Sequence, residues 1–467
     1  MLDTGKINMV YFVGAGGIGM SALARYFNYL GRRVAGYDLT QTALTRKLES
    51  EGIEITYSDD AGAIPRDFTE KGPKEDMIVV YTPAVPETNN ILRWFRDNGY
   101  STVKRSRLLG ELVNRGTGIA VAGTHGKTSV SSLAAHLLRE LPGGCNAFLG
   151  GIARNFNSNL LVSEESDLFV VEADEYDRSF LQLYPSIAVI TSMDPDHLDI
   201  YGSYDEMAGA FSAFAGQVRQ GGIVLYREGV QPGIEKRGNI RYFSYSAGNP
   251  ADYSARNVRI SKNGLSVFDL VTPDVTYRDM ELGIPGRFNV ENAVAAAAVA
   301  MLCGLDETAV RKGLSNFSGI YRRFDIRINK PGCVLIDDYA HHPAELSACI
   351  SAAREIFGGR RITGVFQPHL YTRTRDFADG FAESLNELDD LILLDIYPAR
   401  EKPLKGVTSE LIFEKVRLKS RKMCRREELP QVLGGMETDV VITMGAGSID
   451  AMVEPVEKVL LSKTRLR

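Results

Sequence analysis

Short apolar runs recur along the chain, and most of them stop on glycine, acidic or hydroxyl residues. The first, residues 8–14, reads Asn-Met-Val-Tyr-Phe-Val-Gly. A continuous apolar run bounded by turn residues predicts a strand buried on both faces. Gly14, Gly16 and Gly19 follow, with Gly17 among them, and residues 20–30 carry a helical pattern. A second strand is predicted over 33–37, ending at Asp38, and another over 77–81, ending in Thr82-Pro83-Ala84-Val85-Pro86. Strand and helix alternate again over 119–141; Gly150-Gly151 and an asparagine-rich loop at 155–159 follow, with further strands at 167–172 and 187–191. Between 223 and 282 short strand-like runs are broken by turns, and 258–260 with 265–268 predict a small antiparallel patch. An alanine-rich helix is predicted over 293–302. Strands then fall at 334–338, 362–366, 391–397 and 440–444, with a helix over 344–357. Such βαβ alternation predicts an α/β fold built on parallel sheets. A chain of 467 residues exceeds a single core, and about three domains are expected. The first closes near 105–110, and 319–325 reads as a hinge into the third.

The apolar–polar boundary with the most chemistry is 119–129, Ile-Ala-Val-Ala-Gly-Thr-His-Gly-Lys-Thr-Ser. Strand, glycine loop, lysine, hydroxyl and helix is the arrangement that holds a polyphosphate. Gly123 and Gly126 let backbone N–H groups approach phosphate oxygens, with Thr124 and His125 between them and Ser129 in the first helical turn. Lys127 reaches the terminal phosphates, and Thr128 offers a hydroxyl to Mg²⁺. The usual loop has about four residues between its glycines. Here Thr124 and His125 alone separate them and Val121 stands where the first glycine falls, so the loop is a shortened one. Two neighbouring strands also end on acids: Glu172-Ala-Asp-Glu175, and Asp194-Pro-Asp-His197-Leu-Asp199 after the run at 187–191. Ligands of open α/β sheets bind at strand C-termini. Glu172 and His197 can therefore complete a Mg²⁺ site with Thr128. The glycine series at 14–19 with Asp38 beyond it is a dinucleotide-type motif, placing an anion at a helix N-terminus and Asp38 on a ribose. Asn292 either reads an adenine edge or caps a helix.

Composition narrows the partners. Formal net charge is −5 and the pI about 5.8, which argues against a nucleic-acid or membrane-surface partner. No apolar run approaches the ~18 residues of a membrane span. The N-terminus leads straight into a strand, so no signal peptide is expected. Cys145, Cys303, Cys333, Cys349 and Cys424 are scattered, which suits reduced thiols in the cytoplasm better than disulfides or zinc.

Over nearly its whole length the chain resembles the Mur ligases of bacterial cell-wall synthesis. The resemblance is carried by Gly123-Thr-His-Gly-Lys-Thr128, Glu172-Ala-Asp-Glu175, Asp196-His197-Leu-Asp199, Asn289-Val-Glu-Asn292, Tyr321-Arg-Arg-Phe-Asp325 and the run 337–345. The glycine motif, Asp337-Asp-Tyr-Ala-His-His-Pro343 and Gln367-Pro-His-Leu-Tyr-Thr-Arg-Thr-Arg-Asp376 bring it nearest the branch that handles UDP-N-acetylmuramate and L-alanine. A relative that recycles a cell-wall tripeptide onto the same nucleotide sugar shares similar stretches. The resemblance implies a Rossmann-like N-terminal domain (1–110) binding the UDP-sugar through Gly14, Gly16, Gly17, Gly19, Asp38, Thr82 and Arg105. It implies a central P-loop ATPase-like domain (111–320) holding MgATP, with Lys127 and Thr128 on phosphates, Thr128, Glu172 and His197 on metal, and Asn292 on adenine. It implies a C-terminal Rossmann-like domain (321–467) in which Arg323 and Asp338 reach ATP and His341 and Arg373 place the amino acid. The implied reaction is ATP-dependent amide formation through an acyl phosphate, by a monomer or homodimer. The chain departs from the family at Phe288, where histidine is common, and at Leu370, where related ligases often carry arginine. Several members also carry a lysine shortly after the Asp-His-Leu-Asp segment, carbamylated by CO₂ into a metal ligand; residues 200–217 contain none.

Two other function classes fit parts of the chain. A nicotinamide-dependent dehydrogenase explains Gly14–Gly19 and Asp38 but not Lys127 and its acids; NADH binding without ATP binding would favour it. An ATP-driven switch protein explains Lys127 but not His341 and Arg373; ATP hydrolysis indifferent to a carboxylate and an amine would favour that.

Overall fold

The computed structural model describes residues 4–70, 72, 74–195, 198–230, 236–399 and 401–464. Among the described residues the chain is mixed α/β, with its strands in three sheets. Contact divides it into two units: the first holds two sheets and reaches Ser318, and the second runs from Gly319 and takes in the short segments 260–266 and 284–289.

The first sheet is fully parallel, in the order Glu54–Thr56, Arg33–Tyr37, Met9–Val13, Met77–Tyr81, Thr102–Lys104. Met9–Val13 is buried along its whole length. Alternation sends Val10 and Phe12 into one core and Met9, Tyr11 and Val13 into another. That is why the run is apolar throughout.

The second sheet has ten strands, in the order Thr276–Glu281, Ser266–Val271, Tyr253–Ile260, Arg241–Ser246, Ile223–Arg227, Ile187–Ile190, Thr117–Ala122, Leu168–Glu172, Asn146–Ala153, Ser158–Leu161. Its middle is parallel, and antiparallel pairs close both ends. Thr117–Ala122 sits between Ile187–Ile190 and Leu168–Glu172, so the loop after it is flanked by the loops after both. The expected small patch near 258–268 proves to be part of this sheet. Gly150 and Gly151 lie inside the strand Asn146–Ala153, and the loop expected over 155–159 gives way to strand at Ser158. The alanine-rich helix begins earlier than its alanines, at Arg287, and runs to Leu302.

The two sheets of the first unit are tied by polar contacts that no local pattern foretells. Arg25 Nη1 donates to Ser158 Oγ at 2.7 Å and Asn159 Oδ1 at 3.1 Å. Asn159 Nδ2 donates to Ile18 O at 2.7 Å, and Lys47 Nζ to Asn157 O at 2.8 Å.

The second unit's sheet runs Asp325–Lys330, Cys333–Asp338, Val440–Met444, Ile362–Phe366, Asp390–Leu393, Ser420–Met423, parallel except for the first pair. The strand expected over 391–397 ends at Leu393; further on, Tyr397 makes an isolated bridge to His369. The five cysteines are free, and no helix among the described residues is long and apolar enough to cross a membrane.

Candidate functional site

Thr117–Ala122 ends buried, and the helix Lys127–Leu138 starts five residues on. Between them Gly123 (φ +137°) and Gly126 (φ +82°) take backbone conformations that side chains resist. The next strand end clamps this loop. Thr191 Oγ1 donates to His125 O at 2.5 Å, Ser192 Oγ accepts from His125 N at 2.7 Å, and Thr124 Oγ1 lies 2.9 Å from Ser192 Oγ. Thr124 Oγ1 also accepts from Asp194 N at 3.1 Å. On the far side stands Asn292, whose Oδ1 would lie 3.0 Å from a Cβ at Gly126.

The cation and the acids meet at the start of the helix. Lys127 Nζ donates to Gly123 O at 2.6 Å and lies 2.9 Å from both carboxylate oxygens of the buried Glu175. Burial works against its charge, but Glu175, Asp174 and Glu172 outweigh that cost and lift the Lys127 ammonium above the ordinary lysine range. Thr128 Oγ1 donates to Glu172 Oε2 at 2.8 Å. Glu172 in turn lies against Gly150, where any side chain would overlap its carboxylate.

A cavity of 260 Å³ opens beside these groups, and it joins the two sheets of the first unit. Gly17, Gly19, Thr82 and Arg105 line it from one side, Gly150, Glu172 and Asp174 from the other. The helix Ile18–Tyr29 points its N-terminus there, a ready place for a phosphate. Arg105 lies over Gly19, with Nη2 4.0 Å from Asp174 Oδ2. Gly14 touches Thr82. Asp38 accepts from Gly16 N at 2.7 Å and from Thr40 N at 3.1 Å, so its carboxylate braces the glycine loop.

In the second unit Asp338 ends the strand Cys333–Asp338. Its oxygens accept from Phe324 N at 2.6 Å and Ala340 N at 2.7 Å. Burial pushes this carboxyl up to about 6, against the pull of Arg323 and those N–H groups. The Arg323 guanidinium sits 5.1 Å over the Tyr339 ring. His341 Nδ1 lies 3.0 Å from Tyr339 O and 3.3 Å from Glu345 Oε2. Burial holds the imidazole below its ordinary value, although Glu345 favours the charge. Arg373 stands on the helix Tyr371–Asp376 and its charge bears on His341. Leu370, at φ +69°, turns the chain into that helix.

Profiles of three protein domains match the chain in sequence: the "Mur ligase family, catalytic domain" over residues 9–117, the "Mur ligase middle domain" over 121–300, and the "Mur ligase, glutamate ligase domain" over 322–447. The chain belongs to the Mur ligase family. Among its relatives is the UDP-N-acetylmuramate–L-alanine ligase of Parabacteroides distasonis, 50% identical over 464 residues that cover 99% of this chain and 100% of that one. The same-named protein of Porphyromonas gingivalis (strain W83) is 48% identical over 97% of this chain and 98% of its own. The crystal structure of a UDP-N-acetylmuramate–alanine ligase from Thermotoga maritima matches with a TM-score of 0.82 at 26% identity, covering 97% of this chain and 99% of that one. A murein peptide ligase from Psychrobacter arcticus, at 21% identity and a TM-score of 0.72, shares the Mur ligase fold.

Within this Mur ligase the phosphate-loop residues, Glu172 and Asn292 gather in one place, and Gly17, Gly19, Thr82 and Arg105 share the adjoining cavity. Asp196 and His197 lie outside the described residues. Sequence reasoning gave no role to Glu175, Asp174, Gly150, Thr191 or Ser192. Glu175 stands in the quoted Glu172-Ala-Asp-Glu175 stretch, and Thr191-Ser192 ends the strand next to the phosphate loop, which is the signal that was there to use.

Proposed function

We propose that this chain is an ATP-dependent ligase that joins L-alanine to the lactyl carboxylate of UDP-N-acetylmuramate in peptidoglycan precursor synthesis. One observation carries the reading: half of the residues match a protein of that name along essentially its full length, with the phosphate loop at its centre intact. We assign residues 1–110 to the UDP-sugar, 111–320 to ATP and 321–467 to the amino acid and to ATP.

The chemistry follows from the site. A carboxylate is inert toward an amine because oxide is a poor leaving group. Attack of the carboxylate oxygen on the γ-phosphorus of ATP releases ADP and makes an acyl phosphate. The neutral amine of alanine then attacks the acyl carbon, and the tetrahedral intermediate loses phosphate and a proton to leave the amide. Phosphoryl transfer asks mainly for positioning and charge neutralisation. Lys127 supplies fixed positive charge at the loop, and the helix N-terminus supplies N–H groups. Asn292, beside Gly126, is assigned to the adenine. Gly14–Gly19, Thr82 and Arg105 hold the pyrophosphate, with Asp38 bracing their loop. In the second unit, Arg323 and Asp338 are assigned to ATP, and His341 and Arg373 to the amino acid.

The residues fit a Mg²⁺ ion. Thr128 and Glu172 bring hard oxygen donors within 2.8 Å of each other, and the missing side chain of Gly150 leaves room for that carboxylate. His197 is the further assigned ligand. When bound, the ion would neutralise charge on the phosphates. Mg²⁺ commonly keeps waters and takes few protein ligands. ATP and a nucleotide sugar as substrates, with five free cysteines, fit work in the cytoplasm.

The test is phosphate release with UDP-N-acetylmuramate, ATP and each candidate amine. L-alanine should be the preferred amine. Faster use of the tripeptide at matched concentrations would make the recycling reaction the better assignment.

A further inference from the structure

One buried carboxylate in the first unit has no task in the mechanism above. Glu175 is 0% exposed, and both of its oxygens lie 2.9 Å from Lys127 Nζ. The same ammonium donates to Gly123 O at 2.6 Å. An ammonium has three N–H donors. The carboxylate and the carbonyl fix two directions, and one N–H remains for a ligand.

The backbone that delivers Glu175 is unusual. Asp177 and Arg178 both have φ +54°, consecutive left-handed residues that are not glycine. Such a turn persists only where its surroundings hold it, and it clusters at functional sites. Here the surroundings do so from several sides. Tyr201 Oη donates to Glu175 O at 2.6 Å, and Arg178 N donates to the same carbonyl at 3.0 Å. Asp174 accepts from Tyr176 N at 3.1 Å through Oδ1 and from Phe180 N at 2.9 Å through its carbonyl. A strained, heavily braced turn thus presses one acid against one lysine. A buried ion pair is poor value as a stabiliser, because desolvation offsets the attraction. It is well suited to fixing a direction.

We propose that Glu175 is a positioning residue for the use of ATP: with Gly123 O it tethers the Lys127 ammonium, so that the cation sits at one point over the phosphate loop and its remaining N–H faces the transferring phosphoryl group. This rests on the reading of the chain as an ATP-dependent ligase. Glu175 is fully buried and accepts from Lys127 through Oε1, so we give it no contact with substrate. Its effect on turnover runs through Lys127.

The test compares the parent, Glu175→Gln, Lys127→Ala and the double variant. Each is measured for kcat, for KM toward each substrate, for MgATP affinity by titration with a fluorescent nucleotide, and for Tm. Glu175→Gln keeps the shape and removes the charge. Its kcat should fall by roughly 10²-fold, the order expected when a catalytic group is misplaced by about 1 Å. KM for UDP-N-acetylmuramate should stay near the parent's, while Tm falls because the Lys127 ammonium loses its buried counter-charge. In the Lys127→Ala background the same change should do nothing further to turnover or MgATP affinity, because the group it acts through is gone. Parent-like kcat in Glu175→Gln overturns the proposal, and so does an equal loss in both backgrounds. If Glu175→Gln does not fold, Glu175→Asp decides: it keeps the charge one methylene back, and parent-like kcat there also overturns it. A parent enzyme that releases no phosphate in response to UDP-N-acetylmuramate and an amine would instead overturn the reading of function, a result visible before any variant is made.

Discussion

The loop after Thr117–Ala122 and the loop after Cys333–Asp338 both leave the C-terminal end of an interior strand, yet they use their polar residues differently. In the first, side chains of the neighbouring strand end, Thr191 and Ser192, hold the backbone, and Glu172, hydrogen-bonded to Thr128, lines a cavity. In the second, the acid at the strand end is itself the brace, because Asp338 accepts two backbone N–H groups. The residues around it carry the strain: Arg322 (φ +64°) and Phe324 (φ +47°) precede it, and Leu370 (φ +69°) lies at the next strand end. An acid at a strand C-terminus is thus an ambiguous sign. It can hold the loop itself, as Asp338 does, whether or not it also meets a ligand.

That contrast predicts an order of effects. Lys127→Ala should cost the most, about 10³-fold in kcat, the scale of losing one charge-stabilising donor. Tm should fall as well, since the buried Glu175 loses its cation, although Thr191 and Ser192 still clamp the loop. Turnover near the parent's would remove the loop from the chemistry. Asp338→Ala comes next and should show first in stability. Loss of two hydrogen bonds to a carboxylate costs about 3 kcal/mol, read by denaturant melting of the second unit. If melting is unchanged and MgATP affinity alone falls, Asp338 is a ligand group and the contrast breaks.

The helix behind the phosphate loop carries a pH-sensitive support. His136 is buried, its Nε2 lies 3.1 Å from Gly313 O, and burial pushes its pKa down to about 4. The unfolded chain binds a proton near 6.5 and the folded chain near 4, so stability falls as pH drops between those values and is unaffected above them. At pH 5 the loss is about 2 kcal/mol, the 1.5 units below 6.5 at 1.36 kcal/mol each. His136→Phe should flatten this limb in a pH series of Tm, whatever it does at pH 8. A smaller effect is expected of Gly150→Ala. The added methyl displaces the Glu172 carboxylate from Thr128, and the Mg²⁺ needed for half-maximal rate should rise roughly tenfold. An unchanged Mg²⁺ requirement would take Glu172 out of the metal site.

How much of this was readable follows the same division. The strand Met9–Val13, the phosphate loop and the strand Val440–Met444 were legible because each is written in consecutive residues. The clamp on His125 was not, since Thr191 and Ser192 lie more than sixty positions away. Nor was the use of Gly150, a close approach to Glu172 inside a strand. The alanine-rich helix was placed too late because its first turn, Arg287 to Val290, lacks the alanine signal. Asp338 was read as a nucleotide contact, and only its partners at Phe324 and Ala340 show that it also holds the backbone.

The smallest expected effect is none at all, and it concerns a ligand the chain does not encode. A carbamate bridge to metal needs a lysine amine, and residues 200–217 hold no lysine. The structure gives that segment other work. Ser203 caps the helix Tyr204–Gly216 by accepting from Glu206 N at 3.2 Å. Asp205 and Glu206 sit in its first turn, where acids suit the helix dipole. Glu206 also pairs with Arg178 at 3.4 Å, on the braced turn that carries Glu175. The helix therefore meets the turn behind Lys127. Ligation by this chain should be indifferent to CO₂ and bicarbonate. The measurement is the rate in CO₂-depleted buffer with and without added bicarbonate, at limiting Mg²⁺ so that any extra ligand would show. Strong activation would mean that a lysine from elsewhere has taken the role, and that Thr128, Glu172 and His197 are not the whole of the protein's share in the metal site.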